Sequence, residues 1–227
     1  MIKAFMTKLV FTLLLLCQTA VAQHSFNIQN ASSYFDVKVT VAHCERDSCQ
    51  GKASFAFMRK GQLTPYQVIV LPETYIELEK GKQLSVNTTL LYDKQSVVNV
   101  GDFNFDGMED VALCNGLNGS YGMPSYAVYL SSRAAKKFVY NPAFSKLGTH
   151  LGMFEIDTEK KVLRTFDKGG CCFHVTEEFL VSNNTPRKIF SEEEDATIAD
   201  ETKVKITTKR FINGKWQSQI SYRKRDN

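Results

Sequence analysis

Residues 102–110 read Asp-Phe-Asn-Phe-Asp-Gly-Met-Glu-Asp. Asp102, Asn104, Asp106 and Asp110 fall at loop positions 1, 3, 5 and 9, with Gly107 at position 6. A hard cation such as Ca²⁺ takes about six to eight oxygen ligands, which alternating Asp and Asn side chains in a tight loop can supply. Glycine at the sixth position permits the sharp turn such a loop needs. The backbone carbonyl of Met108 is the expected seventh-position ligand. An EF-hand would need a bidentate Glu at the twelfth position, and this chain has Leu113 there. The flanks, VVNVG (97–101) and VALC (111–114), have strand character. The spacing therefore predicts a Ca²⁺ loop between two β-strands. The competing reading is an ordinary acidic turn, since Asp, Asn and Gly are common turn residues. No nucleophile or general base lies near the loop in sequence, so its expected role is structural rather than catalytic.

Six residues past Asp110, the stretch GLNGSYGMPSYAVYL (116–130) mixes glycines with Ser120, Tyr121, Gly122, Ser125 and Tyr126. Tyr and Ser give contact area and adaptable hydrogen bonds at low entropic cost, which suits a recognition loop. The alternative is a glycine-rich connection whose tyrosines enter the core. GGCCFH (169–174) offers two further readings. Cys172 and His174 could form a catalytic pair, or the cysteines could be oxidised. Adjacent cysteines crowd one another as zinc ligands, whose usual spacing leaves about two to four residues between them. His24, His43 and His150 have no ligand-like spacing. No G-x-S-x-G elbow, H-E-x-x-H pair or phosphate-cradling glycine loop occurs. The sequence thus points to a protein without enzymatic activity.

The elements that must position these residues alternate with a period of two. Val37, Val39 and Val41 share one face of DVKVTVAHC, and Phe55 and Phe57 share one face of ASFAFM. YQVIVL (66–71), SYAVYL (125–130), MFEID (153–157) and KVLRTF (161–166) are further expected strands. KVKITTKRFI and KWQSQISY flank Asn213-Gly214, the favoured type I′ turn, which sets Phe211 opposite Trp216. Asn183-Asn184 is expected to turn a second hairpin. Only Pro142 to Leu147 reads as a short helix. The metal-type motif occurs once, so a propeller of repeated loops is not expected. The predicted fold is all-β, a single domain over residues 23–227, either a β-sandwich or a partial, irregular β-propeller with one calcium-binding strand-loop-strand repeat.

Lys3 and Lys8 precede an apolar run from Leu9 to Cys17, and Ala20-Val21-Ala22 supplies small residues for cleavage. That pattern is a secretory signal peptide over residues 1–22, too short to span a membrane. The expected location is periplasmic or secreted, with no membrane span. Loss of Lys3 and Lys8 takes the formal charge from +4 to +2, too balanced to argue for nucleic acid. Export makes disulfides the default for Cys44, Cys49, Cys114, Cys171 and Cys172. Cys44 and Cys49 can bridge two strands. Cys171 and Cys172 can bond to each other, or one of them can reach Cys114.

VVNVGDFNFDGMEDVALCNG resembles an FG-GAP-type calcium repeat, the strand-loop-strand unit of integrin β-propellers. The longer stretch GDFNFDGMEDVALCNGLNGSYGMPSYAVYL, followed by LGMFEID and KGGCCFH, is similar to a family of exported bacterial FG-GAP-like proteins. That family includes periplasmic immunity proteins against peptidoglycan-hydrolase effectors of type IV secretion systems. The resemblance covers residues 97–180. It implies a Ca²⁺-stabilised β fold that binds and blocks a lysozyme-like peptidoglycan hydrolase. In related periplasmic lysozyme inhibitors a Ser-Gly-x-x-Tyr loop enters the enzyme's cleft. Here Ser120-Tyr121-Gly122-Met123-Pro124-Ser125-Tyr126 shares those residue types at a different spacing. The alternative expectation is a calcium-stabilised structural or adhesion module of the cell envelope with no enzyme target.

Overall fold

The structure is a computed structural model that describes residues 24–29, 31–78, 84–91 and 94–225. The expected signal peptide, residues 1–22, lies outside the described residues. Among the described residues the chain forms three antiparallel sheets with no closed barrel, as the all-β expectation requires.

Alternation builds the first sheet. β1 (His24–Ile28), β2 (Phe35–Glu45), β3 (Ser48–Arg59) and β4 (Gln67–Leu71) pair in chain order, and β5 (Tyr75–Glu77) pairs with the start of β3. Val37, Val39 and Val41 are fully buried, opposite Phe57, Phe55 and Ala53. The second sheet is β6 (Val98–Gly101), β7 (Asp110–Cys114), β8 (Tyr126–Ser132) and β9 (Lys137–Tyr140). All five residues of β7 are buried, so this strand runs through the middle of the molecule. Asn141 caps the helix α1 (Pro142–Leu147), its side chain accepting from the N–H groups of Ala143 and Phe144. The third sheet runs β10 (Glu155–Asp157), β11 (Val162–Lys168), β12 (Phe173–Ser182), β13 (Thr185–Asp195), β14 (Lys203–Ile212) and β15 (Lys215–Lys224). One apolar cluster takes residues from all three sheets, including Phe55, Leu113 and Leu163. The third sheet leaves that cluster as it proceeds, and every residue of β15 is exposed.

Both expected hairpins form. Asn213 and Gly214 have φ of 50° and 78°, as a type I′ turn demands, and the Phe211 and Trp216 rings meet at a tilt of 60° with centroids 5.5 Å apart. Asn183 and Asn184 turn β12 into β13, again with positive φ. Cys44 is bonded to Cys49 between paired β2 and β3 positions. Cys171 is bonded to Cys172, and Cys114 is a free, buried thiol. The odd cysteine left open by the sequence is therefore Cys114, and burial pushes its pKa up.

The first two sheets meet at a side chain. Gln67 donates from Nε2 to the Phe138 carbonyl (2.9 Å) and accepts from the Phe138 N–H at Oε1 (2.8 Å). Its amide thus imitates a peptide unit and links the end of one sheet to the edge of the other. Beside it, the Phe35, Phe57, Tyr66 and Phe138 rings pack with centroids 4.9–6.4 Å apart. Gln67→Ala removes two half-buried hydrogen bonds, each worth about 0.5–1.5 kcal/mol net. We expect a loss of about 1–3 kcal/mol in chemical denaturation, and Gln67→Glu to restore less than half of it.

Candidate functional site

The 102–110 loop is built by its own side chains. Asp102 accepts from the Asp106 N–H at Oδ1 (2.9 Å) and from the Gly107 N–H at Oδ2 (2.8 Å). Asp106 Oδ1 accepts from the Met108 N–H (2.9 Å), and Asn104 Nδ2 donates to Asp106 Oδ2 (3.0 Å). Such Asx-type bonds fold a short acidic segment back on itself. Gly107 sits at φ 84°, a left-handed conformation that glycine adopts freely. The loop is anchored from below by Phe103, which is buried and meets Phe154 edge-to-face at 5.3 Å. From the side, Asn184 at the β12–β13 turn accepts from Asn104 Nδ2 at its Oδ1 (2.8 Å) and from Asn141 Nδ2 at its carbonyl (3.0 Å).

Asp110 differs from the other acids. It is fully buried in β7, accepting from Phe103 N–H (2.9 Å) and Ser131 N–H (2.7 Å). Burial pushes its pKa up to about 7, against the lowering effect of those two hydrogen bonds, and the Asp106 charge adds to the rise. Among the described residues no three His, Cys, Asp or Glu side chains converge in a group able to hold a metal ion. The expectation of three carboxylates around one ion is corrected in that respect. Asp110 directs both oxygens to backbone donors inside the fold, while Asp102 and Asp106 lie at the loop's mouth. The remaining donors, Asp102, Asn104, Asp106 and the Met108 carbonyl, are hard oxygens of the kind Ca²⁺ takes, and in donor chemistry they fit it.

The following loop places one tyrosine outside and one inside. Tyr121 lies in a short 3₁₀ turn, Ser120–Gly122, at φ 57°, and is 59% exposed. The Gly170 N–H donates to its hydroxyl, and Lys168 Nζ lies 4.6 Å from its ring centroid. The Ser120 N–H donates to the His150 carbonyl (3.0 Å), and a Cβ on Gly119 would lie 2.7 Å from that same oxygen. Only glycine permits this approach. Ser125 and Tyr126, expected on the recognition surface, are instead core residues and are corrected as such. Ser125 closes the loop's base, donating to Asn115 Oδ1 (2.6 Å) and accepting from Asn118 N–H (3.3 Å). Tyr126 is wholly buried, its hydroxyl donating to the Ser96 carbonyl (2.8 Å), and burial pushes its pKa well above the usual phenol range. The strand period explains the split. Tyr126 begins β8, whose inward face continues with Val128 and Leu130.

The Gly170 that holds Tyr121 precedes the bonded Cys171–Cys172 pair, so two segments read separately in the sequence form one surface. Cys172 is in a disulfide and is not a thiolate nucleophile for His174. Sequence reasoning missed the pairing of His150 Nδ1 with Asp167 Oδ2, which fixes the segment under Ser120 to β11. Its two members lie on separate segments aligned by the Leu151–Phe166 backbone hydrogen bond, and no local spacing announces it. Arg225 Nη2 approaches Cys172 Sγ at 3.8 Å.

Comparison with known proteins adds a fold relationship. No family model and no curated protein matches the chain. A solved structure of a Xanthomonas type IV secretion system related protein is similar, with a TM-score of 0.67 and 24% identity over 88% of this chain and 94% of that one. At that identity the likeness shows a common fold. Among the described residues no helix is long and apolar enough to cross a membrane.

Proposed function

We propose that this chain is an exported, non-enzymatic protein of the FG-GAP-like kind that binds and blocks a lysozyme-like peptidoglycan hydrolase. The observation that carries the reading is the presentation of Tyr121. An exposed aromatic ring is held on a left-handed backbone position by a cation and by the backbone N–H of Gly170, the residue next to the Cys171–Cys172 disulfide. Rigid aromatic anchors of this type dominate binding energy at protein interfaces. Ser120 and Gly122 flank the ring and complete the contact. The Xanthomonas neighbour is a type IV secretion system related protein, which supports a role associated with type IV secretion. Asp102, Asn104, Asp106 and the Met108 carbonyl would hold Ca²⁺, with Asp110 supporting the loop from within. When bound, the ion supplies positive charge that offsets carboxylate repulsion and stiffens the loop.

The test is capture and inhibition. The protein, immobilised and exposed to envelope and culture extract, should retain a lysozyme-like hydrolase. Added in solution, it should slow that enzyme's clearing of purified peptidoglycan. Retention of no hydrolase together with undiminished clearing would overturn the reading.

A further inference from the structure

A groove of about 1080 Å³ lies on the other side of the Asp102–Asp110 loop, between that loop, the β3–β4 turn and the β8–β9 turn. Arg59, Arg133, Lys136 and Lys137 line it, and all four are exposed. None of them has a carboxylate partner among the described residues. Arg59 instead lies over the Tyr66 ring at 5.6 Å, and Arg133 Nε donates to the Met108 sulfur (3.3 Å). Elsewhere on this protein exposed cations do find acids, as Lys188 with Glu177 and Lys209 with Glu193. With Lys60, which pairs with Asp36, five cations line the groove against the two acids Asp102 and Glu109, so the groove carries an excess of positive charge. It is also partly apolar. Tyr34, 71% exposed, and the partly exposed Tyr66 line it, beside the buried Phe35 and Phe138 rings.

We infer that this groove binds an extended acidic segment of a partner protein, one in which carboxylates alternate with apolar side chains. Guanidinium groups pair bidentately with carboxylates, and the Tyr34 and Tyr66 rings take the apolar residues between them. Glu109, the acid in the groove that takes no part in holding Ca²⁺, decides against a nucleic acid. It lines the groove, held by a hydrogen bond from the Ser32 hydroxyl. A phosphate backbone carries a charge on every residue and would meet that carboxylate. A peptide can place an apolar side chain there instead. The groove shares no residue with the Tyr121 turn, so it is a second contact surface and stands or falls independently of the hydrolase reading.

The experiment is a fluorescence anisotropy titration of the whole protein with a dye-labelled peptide of alternating Glu and Leu. Saturable binding that weakens with added salt is expected. Arg133→Gln/Lys137→Gln should weaken it by at least about tenfold, that is ~1.4 kcal/mol. Because both side chains are exposed, the double variant should keep the parent melting temperature. If it does not, Lys136→Gln is read in its place, with a weakening of about threefold. Absence of saturable binding overturns the inference, as does equal binding of a Gln-Leu peptide. So do unchanged affinity in the variants and tighter binding of a single-stranded oligonucleotide.

Discussion

Tyr126→Ala should destabilise the fold by about 3–5 kcal/mol, while Tyr121→Ala, five residues earlier, should cost no more than about 1 kcal/mol. The two side chains were grouped together by the sequence pattern and are separated by the structure. Tyr126 is among the largest fully buried side chains, so truncation leaves a cavity and also removes the donor to the Ser96 carbonyl. Tyr121 gives up one hydrogen bond and an exposed cation–π contact. The functional effects should reverse that order. An exposed, preorganised aromatic ring is of the kind whose removal costs about 2 kcal/mol or more at an interface, roughly thirtyfold in affinity. Folded Tyr121→Ala that still inhibits the hydrolase at parental strength would remove the Tyr121 turn from the mechanism. Equilibrium denaturation and an inhibition titration on the same two preparations give both readouts.

In the presence of chelator, stability should fall as pH rises from about 4 to about 7, and Asp110 is the cause. Its folded pKa, near 7, lies above the ordinary value of 3.8, so the folded state holds a proton that the unfolded state has released. The favourable contribution is complete below about pH 4 and is lost as pH passes through 7. One pKa unit corresponds to about 1.4 kcal/mol, which puts the full change on the order of 4 kcal/mol. Asp110→Asn should flatten the slope while lowering stability at pH 4, because an amide cannot accept from both Phe103 and Ser131. Added Ca²⁺ should raise the melting temperature at pH 7 by mass action on the native state, and Asp106→Ala should abolish that rise. A melting temperature indifferent to both chelator and Ca²⁺ would leave the loop as an acidic turn.

The strands that the sequence announced are those with strict alternation or a defining turn. β2 and β3 alternate buried with half-buried or exposed residues over most of their length, and Asn213-Gly214 admits little besides a hairpin. β9 carried no such signal. Its four residues become a strand because β8 pairs with them and Gln67 satisfies Phe138, partners that are far away in sequence. The 102–110 loop was readable because its spacing encodes its own Asx bonds. Its asymmetry was not, since burial of Asp110 follows from β7 crossing the core rather than from the loop. Ser125 and Tyr126 were misplaced because a glycine-rich stretch was read as one loop, although β8 begins inside it. The His150–Asp167 pair and the joining of Tyr121 to Gly170 depend on how three segments fold together, which local pattern does not carry.

Surface turns are where chains usually tolerate insertion, and the Asn183-Asn184 turn is on the surface. It is nevertheless held at three points: by its own two-residue geometry, by Asn104 in the metal-type loop and by Asn141 at the helix cap. Length at this turn is therefore constrained in a way that length at Asn213-Gly214 is not. A lineage that lengthened it would release Asn104 and Asn141 together, so substitutions at positions 104, 141 and 184 should travel as a set through evolution. The far end of the third sheet carries no such tie and is free to drift.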